Sequence, residues 1–180
     1  MLSACRWNFS YFILILSTLF IVGCSAKKTV YLKGLPEETQ RYDVVELPNF
    51  SLGGENWVPL DSASIIPTMV AEQLMVKGSF AEVHRPQSSG EARHEGALLL
   101  RGTVLNYDAG CKFCEWFLGF NDNGKSSIVV RVEFVDSGSG DVIADVEILG
   151  KAKKPGTGRS RYSRIVDEIV SIIEKVNSSG

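Results

Sequence analysis

Only two histidines, four cysteines and three tryptophans occur among the 180 residues, and 19 basic side chains nearly balance 21 acidic ones, for a net charge of −2. Near-neutrality argues against a general nucleic-acid binder, whose phosphate contacts call for an excess of cations. The most apolar run, Tyr11 to Gly23 (YFILILSTLFIVG), has 13 residues, short of the roughly 20 that a helix needs to cross a bilayer. A multi-span membrane protein is therefore excluded. Catalytic signatures are missing as well: there is no G-x-S-x-G and no H-E-x-x-H, and Glu37-Glu38 lies in a polar stretch that gives a carboxyl no reason to hold its proton. Gly156-Thr-Gly158 lacks the strand–loop–helix setting of a nucleotide fingerprint. What is present, 44% apolar and 22% charged residues, is the composition of a globular chain with room for one cored domain.

The apolar run has the length of a secretory signal core, and the only charged side chain before it is Arg6. It ends Ile21-Val22-Gly23-Cys24, which resembles the lipobox of bacterial lipoproteins. The resemblance implies transfer of diacylglycerol to the Cys24 thiol and cleavage before it, so that residues 1–23 form a signal peptide. Ser25, rather than an aspartate, follows the cysteine, which in the enterobacterial pattern directs a lipoprotein to the outer membrane, facing the periplasm. Two or three acyl chains hold a protein on a membrane stably where one does not. Residues 24–42, polar and without period, read as the lipidated N-terminus and a flexible tether.

From residue 43 to 177 the pattern predicts one α+β domain. Asp43–Leu47 is β-rich and stopped by Pro48, and 49–60 reads as a loop. Asp61, Ser62 and Ser64 offer caps to a helix that runs to Lys77, with Ile66, Val70 and Leu74 on one face, Pro67 tolerable in a first turn, and Gly78 fit to end it. Strands are expected at Phe80–His84, Ala97–Tyr107, Ser126–Asp136 and Asp141–Gly150, the last two forming a hairpin through Ser137-Gly-Ser-Gly140. Ile165, Ile169, Ile172, Ile173 and Val176 give 163–177 a plain helical stripe. The order β-α-β-β-β-β-α implies a single, mostly antiparallel sheet of about five strands with two helices packed on one face. The lipobox, the helix end Leu74-Met-Val-Lys-Gly-Ser-Phe80 and the hairpin Asp136-Ser-Gly-Ser-Gly-Asp141 resemble small bacterial lipoproteins of an uncharacterised family. Their architecture is similar to that of the curli-secretion and penicillin-binding-protein-activator lipoproteins, which are accessories of envelope assembly. Fold likeness alone carries no function.

Three stretches could carry chemistry or contact. Cys111-Lys-Phe-Cys114 falls between two strands with no helix behind it to lower a thiol pKa. In an exported protein two such thiols pair into a disulfide staple. Thiol redox chemistry is the alternative, or a zinc site completed by His84 and His94, although neither histidine has ligand spacing. Phe113, Trp116, Phe117, Leu118 and Phe120 crowd the same loop. They form either a contact surface for a partner or membrane, or an extension of the core. Lys151, Lys153, Lys154, Arg159, Arg161 and Arg164 are six cations with no acid between residues 151 and 164. They are either a surface for anionic lipid headgroups or wall polymers, or a solvated connection between strand and helix.

The expectation is thus a non-enzymatic envelope lipoprotein that acts by binding. It has no metal, cofactor or catalytic residues, and its partners are the membrane and an envelope protein or a second copy of itself. A periplasmic thiol or zinc protein using Cys111 and Cys114 is the alternative. Intact mass of the protein extracted from membranes without reduction tests both: a diacyl or triacyl adduct beginning at Cys24, two hydrogens light, is the expected result, and an uncleaved chain with free thiols would reverse it.

Overall fold

The computed structural model describes residues 29–35, 41–53, 58–86, 94–109, 126–152 and 160–178. Seven strands and two helices follow one another along them: β1 (Thr29–Lys33), β2 (Val44–Glu46), β3 (Ser51–Leu52), α1 (Ser62–Lys77), β4 (Glu82–His84), β5 (Leu98–Asp108), β6 (Ser127–Asp136), β7 (Val142–Lys151) and α2 (Ser160–Ser178). The strands make one sheet in the order β1-β7-β6-β5-β2-β4, with β3 also on β5. The long ladders β1·β7, β7·β6 and β6·β5 are antiparallel, and the short pairings of β2 and β3 are parallel.

The hairpin forms as its alternation dictates. Ile128, Val130, Val132 and Phe134 of β6 and Ala144, Val146 and Ile148 of β7 are buried on one face. They pack with Ile165, Ile169, Ile172 and Ile173 of α2 and with Ile66, Val70 and Leu74 of α1 in one cluster. Both helices therefore lie on one face, side by side and running the same way. Gln73 reaches Asp167 at 3.0 Å, and Lys77 reaches Glu174 at 2.6 Å. Gly78 ends α1 in the left-handed region (φ 65°) with its N–H on the Leu74 carbonyl at 3.0 Å. At the hairpin turn the Asp136 carboxylate accepts from the N–H groups of Ser139 (2.8 Å) and Gly138 (2.7 Å) and from the Tyr42 hydroxyl (2.9 Å). These bonds, the Ser139 amide foremost, hold its pKa below the usual carboxylate range, whereas burial and Asp136 push the Tyr42 phenol up.

Three sequence expectations change. Thr29–Lys33, expected inside a flexible tether, is a strand on the outer edge of β7, and Tyr42, at the end of that tether, is buried with its N–H on Asn177 Oδ1 at 2.7 Å. A five-residue segment is too short to show a period, and β7 supplies a partner that no local pattern reveals. The strand count rises from about five to seven, because β1 and the two-residue β3, inside the expected 49–60 loop, both pair. Lastly, Pro67 is the sixth residue of α1, beyond the first turn where proline is harmless.

That proline is accommodated from outside the helix. A proline at 67 leaves the Ala63 carbonyl without its helical donor, and the Phe50 N–H takes that place at 2.8 Å. The Phe50 ring then lies where a side chain at position 102 would be: a Cβ on Gly102 would collide with it. Arg85 straps the same segment down, bonding the Leu47 carbonyl, Asn49 Oδ1 and Thr68 Oγ1. Phe50→Ala should cost about 3–5 kcal/mol and Gly102→Ala about 1–3 kcal/mol. The double variant should cost clearly less than the sum, because the smaller side chain at 50 vacates the space that the new methyl needs. Urea unfolding of the four proteins measures this coupling.

Candidate contact surfaces

The strand register gives the molecule two unlike ends. At one, called basal here, β5 finishes at Asp108, β6 starts at Ser127 and β7 finishes at Lys151, the three being direct neighbours (Asp108↔Ser127↔Lys151). β1 enters close by, Thr29 pairing with Ile148. Both helices also begin there: Ser62 Oγ of α1 and the Tyr162 hydroxyl of α2 meet at 3.1 Å in the interior. Consequently the chain stretches 110–125 and 153–159, and everything before residue 29, all connect to this one end. At the other, distal end are the hairpin turn at 137–140, the ends of both helices and the starts of β2, β4 and β5.

Cys24, Cys111, Cys114, Phe113, Trp116, Phe117, Leu118, Phe120, Lys153, Lys154 and Arg159 lie outside the described residues. Of the six expected surface cations, Lys151, Arg161 and Arg164 are described. Lys151 is half-buried at the end of β7, and Arg164 is exposed on the first turns of α2. Arg161 does something else. Its guanidinium carbon sits 4.9 Å from the ring centroids of both Tyr107 and Tyr162, and its Nη1 donates to the Tyr107 hydroxyl at 2.7 Å. Gly150 permits this by letting α2 press directly on β7, since a Cβ there would strike the Arg161 carbonyl and the Ile165 side chain. Arg161 is therefore a pin between helix and sheet rather than a surface cation. In the sequence it looks like its neighbours, because only the fold brings Tyr107 to it.

On the helix-free face of the sheet, Arg131 binds Asp145 through two contacts, Nε to Oδ1 at 3.0 Å and Nη2 to Oδ2 at 2.6 Å, with Glu133 at 3.8 Å. The Asp145 contacts push the Arg131 pKa up. They also provide the cation that an almost fully buried carboxylate requires. Beside this pair a groove of about 610 Å³ runs past Asn49, Ser51, Arg101, Thr103 and Leu105. Ser51 and Thr103 hydroxyls share a hydrogen bond across it at 2.8 Å.

The two histidines do come together. Glu46, 1% exposed, accepts from the His94 N–H at 2.8 Å and faces His94 Nδ1 at 2.9 Å. The His84 and His94 rings meet edge-on at 5.0 Å. Glu46 pairs with Leu99, nine residues along β5 from Asp108, or about 30 Å at the rise of a strand. Cys111 follows Ala109 by two residues, a reach of about 7 Å, so it cannot share a zinc ion with this histidine pair. Among the described residues no group of three or more His, Cys, Asp or Glu side chains could hold a metal ion, and no helix is long and apolar enough to cross a membrane.

The family described as a domain of unknown function (DUF4410) matches residues 59–153. No curated protein matches the chain. Among solved structures it is similar to the PelC dodecamer of Paraburkholderia phytofirmans, with a TM-score of 0.52 at 18% identity over 79% of this chain and 96% of that one. A single-residue variant of the PelC dodecamer gives a TM-score of 0.52 at 15% identity over 83% and 95%. Lipoprotein GNA1162 of Neisseria meningitidis is more distant, with a TM-score of 0.42 at 9% identity over 73% and 96%.

The pin makes a prediction that separates two cations three residues apart. Arg161→Lys keeps the charge but loses the planar group that lies over two rings, and should cost about 1–2 kcal/mol. Arg164→Ala, on the exposed side of the same helix, should change stability by less than about 0.5 kcal/mol. Thermal and urea unfolding of both variants check the contrast.

Proposed function

The chain belongs to the DUF4410 family, a domain of unknown function, and from that footing we propose that it is a non-enzymatic lipoprotein of the bacterial envelope that acts by binding. In this reading acyl groups on Cys24 hold it at the membrane, the outer membrane by the identity of Ser25, and copies of the chain assemble with one another through β1.

The observation that carries the assembly is the character of that strand. Among the described residues β1 is the outermost strand on its side of the sheet. Val30, Tyr31 and Leu32 are 55%, 41% and 50% exposed. Edge strands in monomeric proteins are normally blunted by charge, proline or a bulge, because a bare row of N–H and C=O groups invites another chain. Here only Lys33 and a register shift at the end of the strand serve that purpose. An apolar edge is favourable when a second copy covers it. The fold that the chain shares with the PelC dodecamer supports this choice of partner.

Sedimentation of the acylated protein in mild detergent tests the reading. The protein should run as an oligomer that dissociates on dilution. Val30→Lys with Leu32→Lys should raise the dissociation constant about a hundredfold, for two aliphatic burials of about 1.5 kcal/mol each. Below the dissociation constant of the parent, where both proteins are monomeric, the melting temperature should be the same, since these side chains do not enter the core. A parent protein that stays monomeric at all concentrations would refute assembly.

A further inference from the structure

We propose that the protein stands on the bilayer with its basal end down, with Leu60 against the lipid surface and Lys151 and Arg164 on anionic headgroups. This deepens the reading above and rests on it, because the orientation presupposes acylation at Cys24.

Chain length supplies the first argument. β1 begins at Thr29, so five residue steps separate the folded body from Cys24, about 17 Å when fully extended. Of the expected tether of 24–42, residues 29–33 belong to the sheet, which leaves 24–28 between Cys24 and the first strand. Thr29 is level with Ile148, three residues from the basal end of β7 at Lys151, or about 10 Å. An extended link of that length reaches the basal plane with several ångströms to spare. In the other direction, Ile148 lies six residues from Val142, about 20 Å, with the hairpin turn beyond. The link cannot cover that distance, so the body cannot stand on its distal end.

Charge supplies the second. Among the described residues the basal end presents Lys151 and exposed Arg164, with Arg161 behind them, against two carboxylates, exposed Asp61 and Asp108. The distal end presents exposed Asp43, Glu82, Glu95 and Asp141 together with Glu174, against Arg41, Lys77 and Lys175. An anionic leaflet attracts the first set and repels the second, by about 1 kcal/mol per uncompensated cation close to the surface. Apolar exposure adds a contact to the basal end. Leu60, 82% exposed, precedes α1 by two residues, beside the Ser62–Tyr162 contact. Met75 and Val76 are also exposed at the distal end, so apolar surface alone would not choose between the ends. The link and the charges do.

The test uses the acylated protein on vesicles of phosphatidylcholine and phosphatidylglycerol that contain a headgroup nitroxide. A fluorescent non-canonical residue is placed at Leu60 or at Ser139 of the hairpin turn. Basal-end-down docking predicts quenching at 60 several times stronger than at 139. Adding Lys151→Glu with Arg164→Glu should shrink that contrast. Equal quenching, or stronger quenching at 139, in protein that still floats with the vesicles overturns the orientation and leaves the anchor standing. A contrast undiminished by charge reversal overturns the role of the two cations. Protein that fails to float overturns the anchor and the orientation together.

Discussion

The fold turns on the placement of one residue, Phe50. A helix that carries proline at its sixth position has an unmet carbonyl one turn earlier, and a sheet with glycine in the middle of its longest strand has a hole. Phe50 answers both, its N–H meeting the Ala63 carbonyl and its ring occupying the space over Gly102. Two locally unfavourable choices, a proline inside a helix and a glycine inside a strand, become compatible because they face the same residue. β3 follows directly from this arrangement. Once Phe50 is fixed between helix and sheet, Ser51 and Leu52 have only β5 to pair with. Arg85 completes the join by drawing 47–49 against α1.

Much of the rest was legible from the residues, for reasons that differ by element. The hairpin of β6 and β7 alternates cleanly and is closed by a glycine-rich turn, and α2 carries five β-branched apolar residues at helical spacing, so local pattern and burial agree. Gly78 ends α1 by the left-handed conformation that glycine favours. β1 escaped notice because three apolar residues among polar ones acquire meaning only beside the free edge of β7. Arg161 was misread for a similar reason. Six cations in a row look alike in sequence, and what separates one from the others is a pair of tyrosine rings, one of them 54 residues away. The histidine pair likewise came together through the parallel pairing of β2 with β4 and β5, a non-local fact that periodicity does not encode.

The topology also sorts the surface into regions with separate duties. Because β5, β6 and β7 are consecutive antiparallel strands, the β5–β6 connection and the link from β7 to α2 lie at one end. The short hairpin turn and both helix ends gather at the other. Among the described residues the first end carries a small excess of cations and the second an excess of carboxylates, so their charges define an axis roughly parallel to the strands. The open face between them is largely neutralised within itself, Asp145 and Glu133 being drawn onto Arg131.

The attachment of β1 has a mechanical side. A load on the proposed anchor at Cys24 would enter the domain at Thr29, and the hydrogen bonds that hold β1 to β7 lie across the strand axis. Such a load shears the ladder, so its bonds resist together, whereas a pull from the opposite end of a strand's edge would peel them one at a time. In the proposed orientation an acyl anchor at Cys24 would pull in the stiff direction of the sheet, and a load along the membrane normal would reach the core as shear on a whole ladder rather than as the opening of a single bond.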